Sequence, residues 1–295
     1  MRARDNYLTS KNSIQKVDKI DFLLYNLYII IFLRSIAMDK KEKRRQELQI
    51  LREYQVVKNN DLIQKSRHQL NAQEQKIILY LITKIKPEDV DFKLYDFKIQ
   101  EFCEVCGIDM TNGGNYTYLK ETIKNLSDKS NWATIIKDGR KTETILRWIE
   151  KAYIDEESGT IQIRIDNDMK PYLLELKSHF TAYNLYYILA MKSKYSIRLY
   201  EILKSYEYLG AHTFEIDELK QRLGAEKYKT YKDFRVNVLD IAVREINDFS
   251  DIAVTYSAEK NGRKFEKIKF DIKIKKDALE RVAIFRNIEG RLTPK

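Results

Sequence analysis

Phe97-Lys98-Ile99-Gln100-Glu101-Phe102-Cys103-Glu104-Val105-Cys106-Gly107 and Phe214-Glu215-Ile216-Asp217-Glu218-Leu219-Lys220-Gln221-Arg222-Leu223-Gly224 are two copies of one pattern, 117 residues apart. Each reads as a short alternating strand, a polar residue at a helix start, a two-turn helix and a terminating glycine. Asp217 suits the N-cap, where a carboxylate accepts a free N–H of the first turn. Gly224 suits the position after the helix, because glycine takes the left-handed conformation without a steric cost. Gln100 is a poorer cap, so the first copy is less clean.

The likeness continues outward. A polar turn follows each glycine, then a longer amphipathic helix. Leu119, Ile123 and Leu126 share one face of the first. Leu239, Val243 and Ile246 keep the same i, i+4, i+7 spacing in the second, and Phe234, Val238, Ile241 and Ala242 widen that stripe. Two strands follow each long helix. The first pair is expected at Trp132 to Lys137 and Thr144 to Tyr153, joined through Asp138-Gly139-Arg140-Lys141. The second is expected at Ile252 to Ser257 and Phe265 to Ile274, joined through Glu259-Lys260-Asn261-Gly262-Arg263-Lys264. Asp-Gly and Asn-Gly favour hairpin turns because both residues tolerate positive φ.

Each copy also has an opening helix. The first runs from about Ala72 to Lys84, with Asn71 and Glu74 spaced as a capping box. The second half offers two, about Ala182 to Met191 and Ser196 to Tyr208. Helix, short strand, helix, turn, helix, hairpin is the order of a winged helix. The fold class is therefore α+β, two tandem winged-helix domains over residues 54–170 and 171–276. An N-terminal appendix (1–53) and a C-terminal tail (277–295) flank them.

The chain has 295 residues, 43% of them hydrophobic, with only three prolines and nine glycines, which leaves room for real cores and little for low-complexity segments. A net charge of +10 suits a polyanionic partner. The two cysteines, Cys103 and Cys106, fall in an apolar helical pattern, and the three histidines stand far apart, so core packing is favoured over a metal or redox site. The expectation is a reducing, cytoplasmic setting without cofactor or metal.

Residues 1–37 are compositionally odd. Phe22 to Leu33 is nearly all apolar, preceded by basic residues and followed by Ser35-Ile36-Ala37, which looks like a secretory signal. The run falls short of the ~20 apolar residues of a membrane span. The favoured reading is an appendix, with Met38 as a candidate start, since paired winged helices with excess positive charge suit an intracellular polyanion and serve no secreted product.

A helix-turn-helix offers its second helix to the major groove. In the second copy the outward residues are Lys229, Lys232, Arg235, Asn237, Asp240 and Arg244. Arg235 suits guanine O6 and N7, and Asn237 suits adenine N6 and N7. The wing tip carries Lys260, Arg263 and Lys264, suited to phosphate or the minor groove. The first copy is chemically mixed. Lys120, Lys124, Arg140 and Lys141 stand among Glu121, Asp128, Asp138 and Glu143, which suits a weaker DNA contact or a subunit interface. The tyrosine-rich stretch from Tyr183 to Tyr208 has helical spacing, which favours core packing over base stacking.

Three stretches make the chain resemble the initiator family of iteron-containing, theta-replicating plasmids. They are Leu62 to Asn71 with Glu74-Gln75-Lys76-Ile77, Phe180 to Leu185 with Ser193 to Glu201, and Asp233-Phe234-Arg235-Val236 with Glu245-Ile246-Asn247 and the Lys260 to Lys264 wing. The Ser-x-Tyr-Ser-x-Arg-x-Tyr-Glu string is the most specific. The resemblance implies that the second winged helix reads origin repeats and the first serves dimerisation plus a second DNA contact. It also implies a homodimer that represses its own promoter, in equilibrium with a monomer that binds iterons and opens the origin, with a host initiator and replicative helicase as partners. Family members tend to carry successive arginines where this chain has Arg235-Val236-Asn237. Lys194 and Arg198 suit either a phosphate-binding helix start or a capped core helix with an internal Arg198–Glu201 pair.

An enzyme is disfavoured. There is no close histidine pair for metal-assisted nicking and no G-x-x-x-x-G-K-[ST] phosphate loop. A winged-helix repressor without initiator activity has the same sequence physics and stays open.

Overall fold

The computed structural model describes residues 54–67, 69–86, 88–106, 114–137, 140–155, 157–174, 176 and 179–292. The N-terminal appendix, with Met38, lies outside them, as do Gly107 and the Asp138-Gly139 turn.

Both halves contain the expected module. In the first, α2 (Ala72–Ile82) opens with a complete capping box: Asn71 Oδ1 accepts the Glu74 N–H at 2.9 Å and Glu74 accepts the Asn71 N–H at 2.7 Å. Then come β3 (Tyr95–Lys98), α3 (Ile99–Cys106) and α4 (Gly114–Ser127). In the second half the same order is α7 (Lys194–Ser205), β9 (Ala211–Glu215) and α8 (Ile216–Leu223), then a long helix. That helix has three consecutive parts: α9 (Tyr231–Phe234), a π-helical turn (Arg235–Leu239) and α10 (Asp240–Phe249). Gly224 is left-handed at φ 62°, as its position required. Asp217 is not the cap of α8; Glu215 precedes the helix and Asp217 sits in its first turn.

The hairpins differ from expectation in the first half. There the long helix is followed by two hairpins. The first, β4 (Ser130–Lys137) with β5 (Arg140–Arg147), pairs with the short β2 (Ser66–Arg67). The second, β6 (Ile149–Asp155) with β7 (Thr160–Ile165), pairs through β7 with β3. In the second half β10 (Ile252–Asn261) and β11 (Lys264–Ile274) pair through β11 with β9. Phe97 lies opposite Ile161 and Phe214 opposite Ile268, all buried, so the true counterpart of the second wing is β6–β7. The expected strand from Thr144 to Tyr153 is broken at Trp148, which is buried between β5 and β6. The β4–β5 hairpin, which carries Arg140 and Lys141, is an insertion.

The stretch expected as a helix over 182–191 is instead β8 (Phe180–Asn184) followed by the one-turn α6 (Tyr186–Leu189). β8 pairs antiparallel with β1 (Gln55–Asn59), so a partner strand from the first half of the chain overrides local propensity. After β1 comes α1 (Asn60–Lys65), and α5 (Lys170–Leu173) precedes β8.

Helix α7 is the hub of the molecule. Every residue from Tyr195 to Ser205 is buried, including Arg198, Glu201 and Lys204. Buried charges must be paired, and each here is. The Arg198 guanidinium donates to the carbonyls of Ile63 at 2.6 Å, Ser66 at 2.8 Å and Arg222 at 3.3 Å. Glu201 accepts from Lys58 of β1 and from the Tyr183 hydroxyl of β8. Lys204 bonds Asp251 at 2.7 Å and Glu207 at 2.5 Å. Buried Tyr80, Phe97 and Phe102 form the centre of the first core, and buried Phe214 and Phe270 that of the second. The C-terminal segment is a helix, α11 (Ala278–Leu292), which buries Ile284, Ile288 and Leu292 and packs against α10 and α6.

Candidate nucleic-acid interface

The long helix of the second half starts cleanly because Thr230 caps it, its hydroxyl accepting the Asp233 N–H at 3.0 Å. Phe234, Val238, Leu239, Ala242 and Ile246 are buried, which fixes the opposite face outward. Lys232, Arg235, Val236, Asn237, Asp240 and Arg244 are exposed on it, and Lys229 is exposed in the turn before it. No other part of the chain among the described residues covers this face.

The wing stands beside it. β10 and β11 close through Gly262-Arg263, with Gly262 at φ 62°, a conformation that favours glycine. Lys260, Arg263 and Lys264 are exposed at the tip. Two contacts fix the wing to the helix. Tyr231 stacks on Phe265 with centroids 4.1 Å apart, and the Lys260 ammonium lies 4.7 Å from that Phe265 ring. About two turns further on, the Tyr256 hydroxyl of β10 donates to the Asp240 carboxylate. Partial burial first, and that carboxylate second, push the Tyr256 phenol well above its ordinary range.

Asn237 is exposed, but its amide Nδ2 donates to the Asp233 carbonyl at 2.8 Å. Bidentate reading of adenine through Asn237 requires that bond to break or be shared. Asp240 is not a lone outward acid, since it lies 3.8 Å from the Arg235 Nε as well as accepting from Tyr256.

Arg198 is a correction. It is 2% exposed and its guanidinium is consumed by carbonyls of α1, β2 and α8, so it holds elements together and does not reach phosphate. The capped-core reading of that string is the one the geometry supports, with Arg198 3.8 Å from Glu201. The turn before α7 is also occupied: Glu245 accepts the N–H groups of Lys192 and Ser193 at 3.1 Å. Lys194 remains half-buried, and burial, then Lys227, hold its ammonium below the usual lysine range.

In the first half Lys120 and Lys124 are exposed on α4, beside exposed Glu121. Arg140 is exposed at the head of β5, and the side chain of Lys141 lies outside the described residues. None of these four residues lies on the module's own wing, although α4 packs against β6 of it. The β6–β7 hairpin carries exposed Asp155 and Glu157 at its turn, with Ser158 hydrogen bonds holding the Asp155 carboxyl below the usual range. Ile149 to Ile165 holds four acids and two bases, against three acids and six bases from Ile252 to Ile274.

Cys103 is buried, and burial pushes its thiol up to about 11. Among the described residues no three His, Cys, Asp or Glu side chains converge as a metal site, and no helix is long and apolar enough to cross a membrane. Sequence reasoning missed Tyr231, Tyr256 and Val236, because strand-to-helix contacts and a π turn leave no periodic signal.

The fold and the outward face together define a protein of two tandem winged-helix domains, the second presenting a basic helix and wing. The chain belongs to the initiator replication protein family: residues 55–204 match "Initiator Replication protein, WH1" and residues 215–272 match "Initiator Rep protein, WH2". It is 30% identical over 152 residues to the PI protein of Escherichia coli, covering 45% of this chain and 49% of that protein. It is 26% identical over 219 residues to a replication initiation protein of Escherichia coli, covering 71% of this chain and 66% of that one. The chain thus spans from about half to just under two thirds of those relatives. The fold is similar to that of the Pi initiator protein solved in complex with iteron DNA, with a TM-score of 0.64 and 22% identity over 77% of this chain and 99% of that one.

Proposed function

We propose that this chain initiates plasmid replication by binding repeated duplex sites, iterons, at an origin. The observation that carries the reading is the outward face of the second winged helix. There Lys232, Arg235 and Arg244 line a helix whose apolar stripe is buried, beside a hairpin tipped by Lys260, Arg263 and Lys264. Such a helix fits the major groove, and the cations neutralise phosphates. The related Pi initiator was solved with iteron DNA, which supports the same partner here.

The first winged helix serves dimerisation and a secondary DNA contact through Lys120, Lys124, Arg140 and Lys141. Strand β5 supports the former: among the described strands it pairs only with β4, and it presents Ile145 at 48% exposure. An unpaired edge accepts another strand. The dimer represses the chain's own promoter, and the monomer opens the origin and engages a host initiator and the replicative helicase in the cytoplasm. The protein acts by binding, without catalysis or cofactor.

Footprinting the purified chain on DNA flanking its own gene tests this directly. Protection of several equally spaced repeats, with permanganate-reactive thymines appearing in an adjacent segment, is the expected result. A single protected palindrome with no strand opening assigns the protein as a repressor instead, and Mg²⁺-dependent nicking would make it an enzyme.

A further inference from the structure

The recognition helix carries an acid, Asp240, in the middle of its DNA-facing surface. Next to phosphates a bare carboxylate repels the ligand, so its presence there calls for a task. The backbone supplies one. In the π-helical turn the Asp240 N–H bonds the Arg235 carbonyl, five residues back. In an α-helix residues five apart point away from each other, but the wider turn sets them one above the other. The Asp240 carboxylate accordingly lies 3.8 Å from the Arg235 Nε. Its other oxygen accepts the Tyr256 hydroxyl from the wing.

Resting on the proposed DNA-binding function, we propose that Asp240 and Tyr256 are positioning residues that hold the Arg235 guanidinium for one guanine of the bound site. Asp240 engages the Nε side, which leaves the two terminal NH₂ groups for bidentate donation to guanine O6 and N7. An exposed arginine otherwise loses much side-chain freedom on binding. Bracing it beforehand removes part of that cost and fixes the base pair it meets. Tyr256 ties the brace to the wing, so the phosphate-contacting hairpin and the base-reading side chain are placed by one set of contacts. Tyr231 stacked on Phe265 holds the same two elements about two turns earlier.

The test uses the full chain and duplexes it enriches from a random library, with affinity read by anisotropy. Wild type should lose about 10-fold when one particular guanine is replaced by 7-deazaguanine. Asp240→Asn should bind the enriched duplex about 5–20-fold more weakly and become insensitive to that replacement, while unselected duplex binds as well or better because a negative charge is gone. Tyr256→Phe should lose in the same direction, by about 2–5-fold. In an Arg235→Ala background, Asp240→Asn should add no further loss. Undiminished loss in that background, or an Asp240→Asn protein that matches wild type on the enriched duplex, overturns the brace while leaving DNA binding intact. A library from which wild type enriches nothing overturns the proposed function, and the brace with it.

Discussion

The two winged helices share strand register, helix order and a buried aromatic core, yet they differ where each meets solvent. The wing of the second is cationic and is pinned to its long helix by Tyr231–Phe265 and Tyr256–Asp240. The wing of the first is acidic at its turn, and an inserted hairpin, β4–β5, lies between it and α4 in the chain. Burial constrains the inner face of each module in the same way, because both must close a core with the same elements. The outer faces are under no such constraint. A cationic hairpin gains from phosphate and an acidic one is repelled by it, which is why the proposed base-reading contact rests on the second half.

Five substitutions test that division, beginning with the element the halves share. Arg198→Ala removes a buried cation that ties α1 and β2 to α8 and leaves three carbonyls unsatisfied. It should destabilise the protein by about 3–5 kcal/mol in denaturant unfolding, and both halves should report it. A loss confined to one half, with the other unfolding at its wild-type midpoint, would mean the modules are independent.

Arg235→Ala should cost about 1–3 kcal/mol on an enriched duplex and relax preference at one base pair. Lys120→Ala on the corresponding helix of the first half should weaken enriched and unselected duplexes alike. Equal loss of specificity in both variants would erase the functional difference between the halves.

The smallest effects belong to the wings. Lys264→Ala should weaken all duplexes about equally, by a few-fold, and lower the slope of log K against log salt by about 0.9. Asp155→Ala in the other wing should leave affinity unchanged or slightly raised in the same titration. A loss on Asp155→Ala would place the first wing against DNA after all.

Much of the architecture was legible because it repeats. The stripe Leu119-Ile123-Leu126 and its counterpart at Leu239 mark buried faces by spacing alone, and the Asn71–Glu74 box is a local signal that needs no tertiary context. Pairing between distant strands was not legible. Nothing near Phe180 to Asn184 says that residues 55–59 lie alongside it. The same limit misplaced the first wing: two hairpins follow α4, and which one belongs to the module depends on pairing of β7 with β3, which lies far upstream in the chain. At the candidate site the exposed cations were readable from the helix period, but Arg198 was not separable from a surface arginine. Its burial comes from α1, β2 and α8, which converge only in three dimensions. The Arg235–Asp240 approach was hidden for a related reason, since a helix counted at 3.6 residues per turn puts the two on different sides.

Helix α7 bears on how this protein can be taken apart. It is the opening helix of the second module, yet its charges are answered by Lys58, Ile63 and Ser66 of the first half. A fragment that begins at β9 lacks the floor of its own module, and one that begins at β8 loses the Lys58 partner of Glu201 and the Ile63 and Ser66 carbonyls that Arg198 holds. Any attempt to isolate the second half therefore has to bring residues 55–66 along or neutralise Arg198 and Glu201 together, so cutting past Gln55 is the wrong way to make the protein smaller.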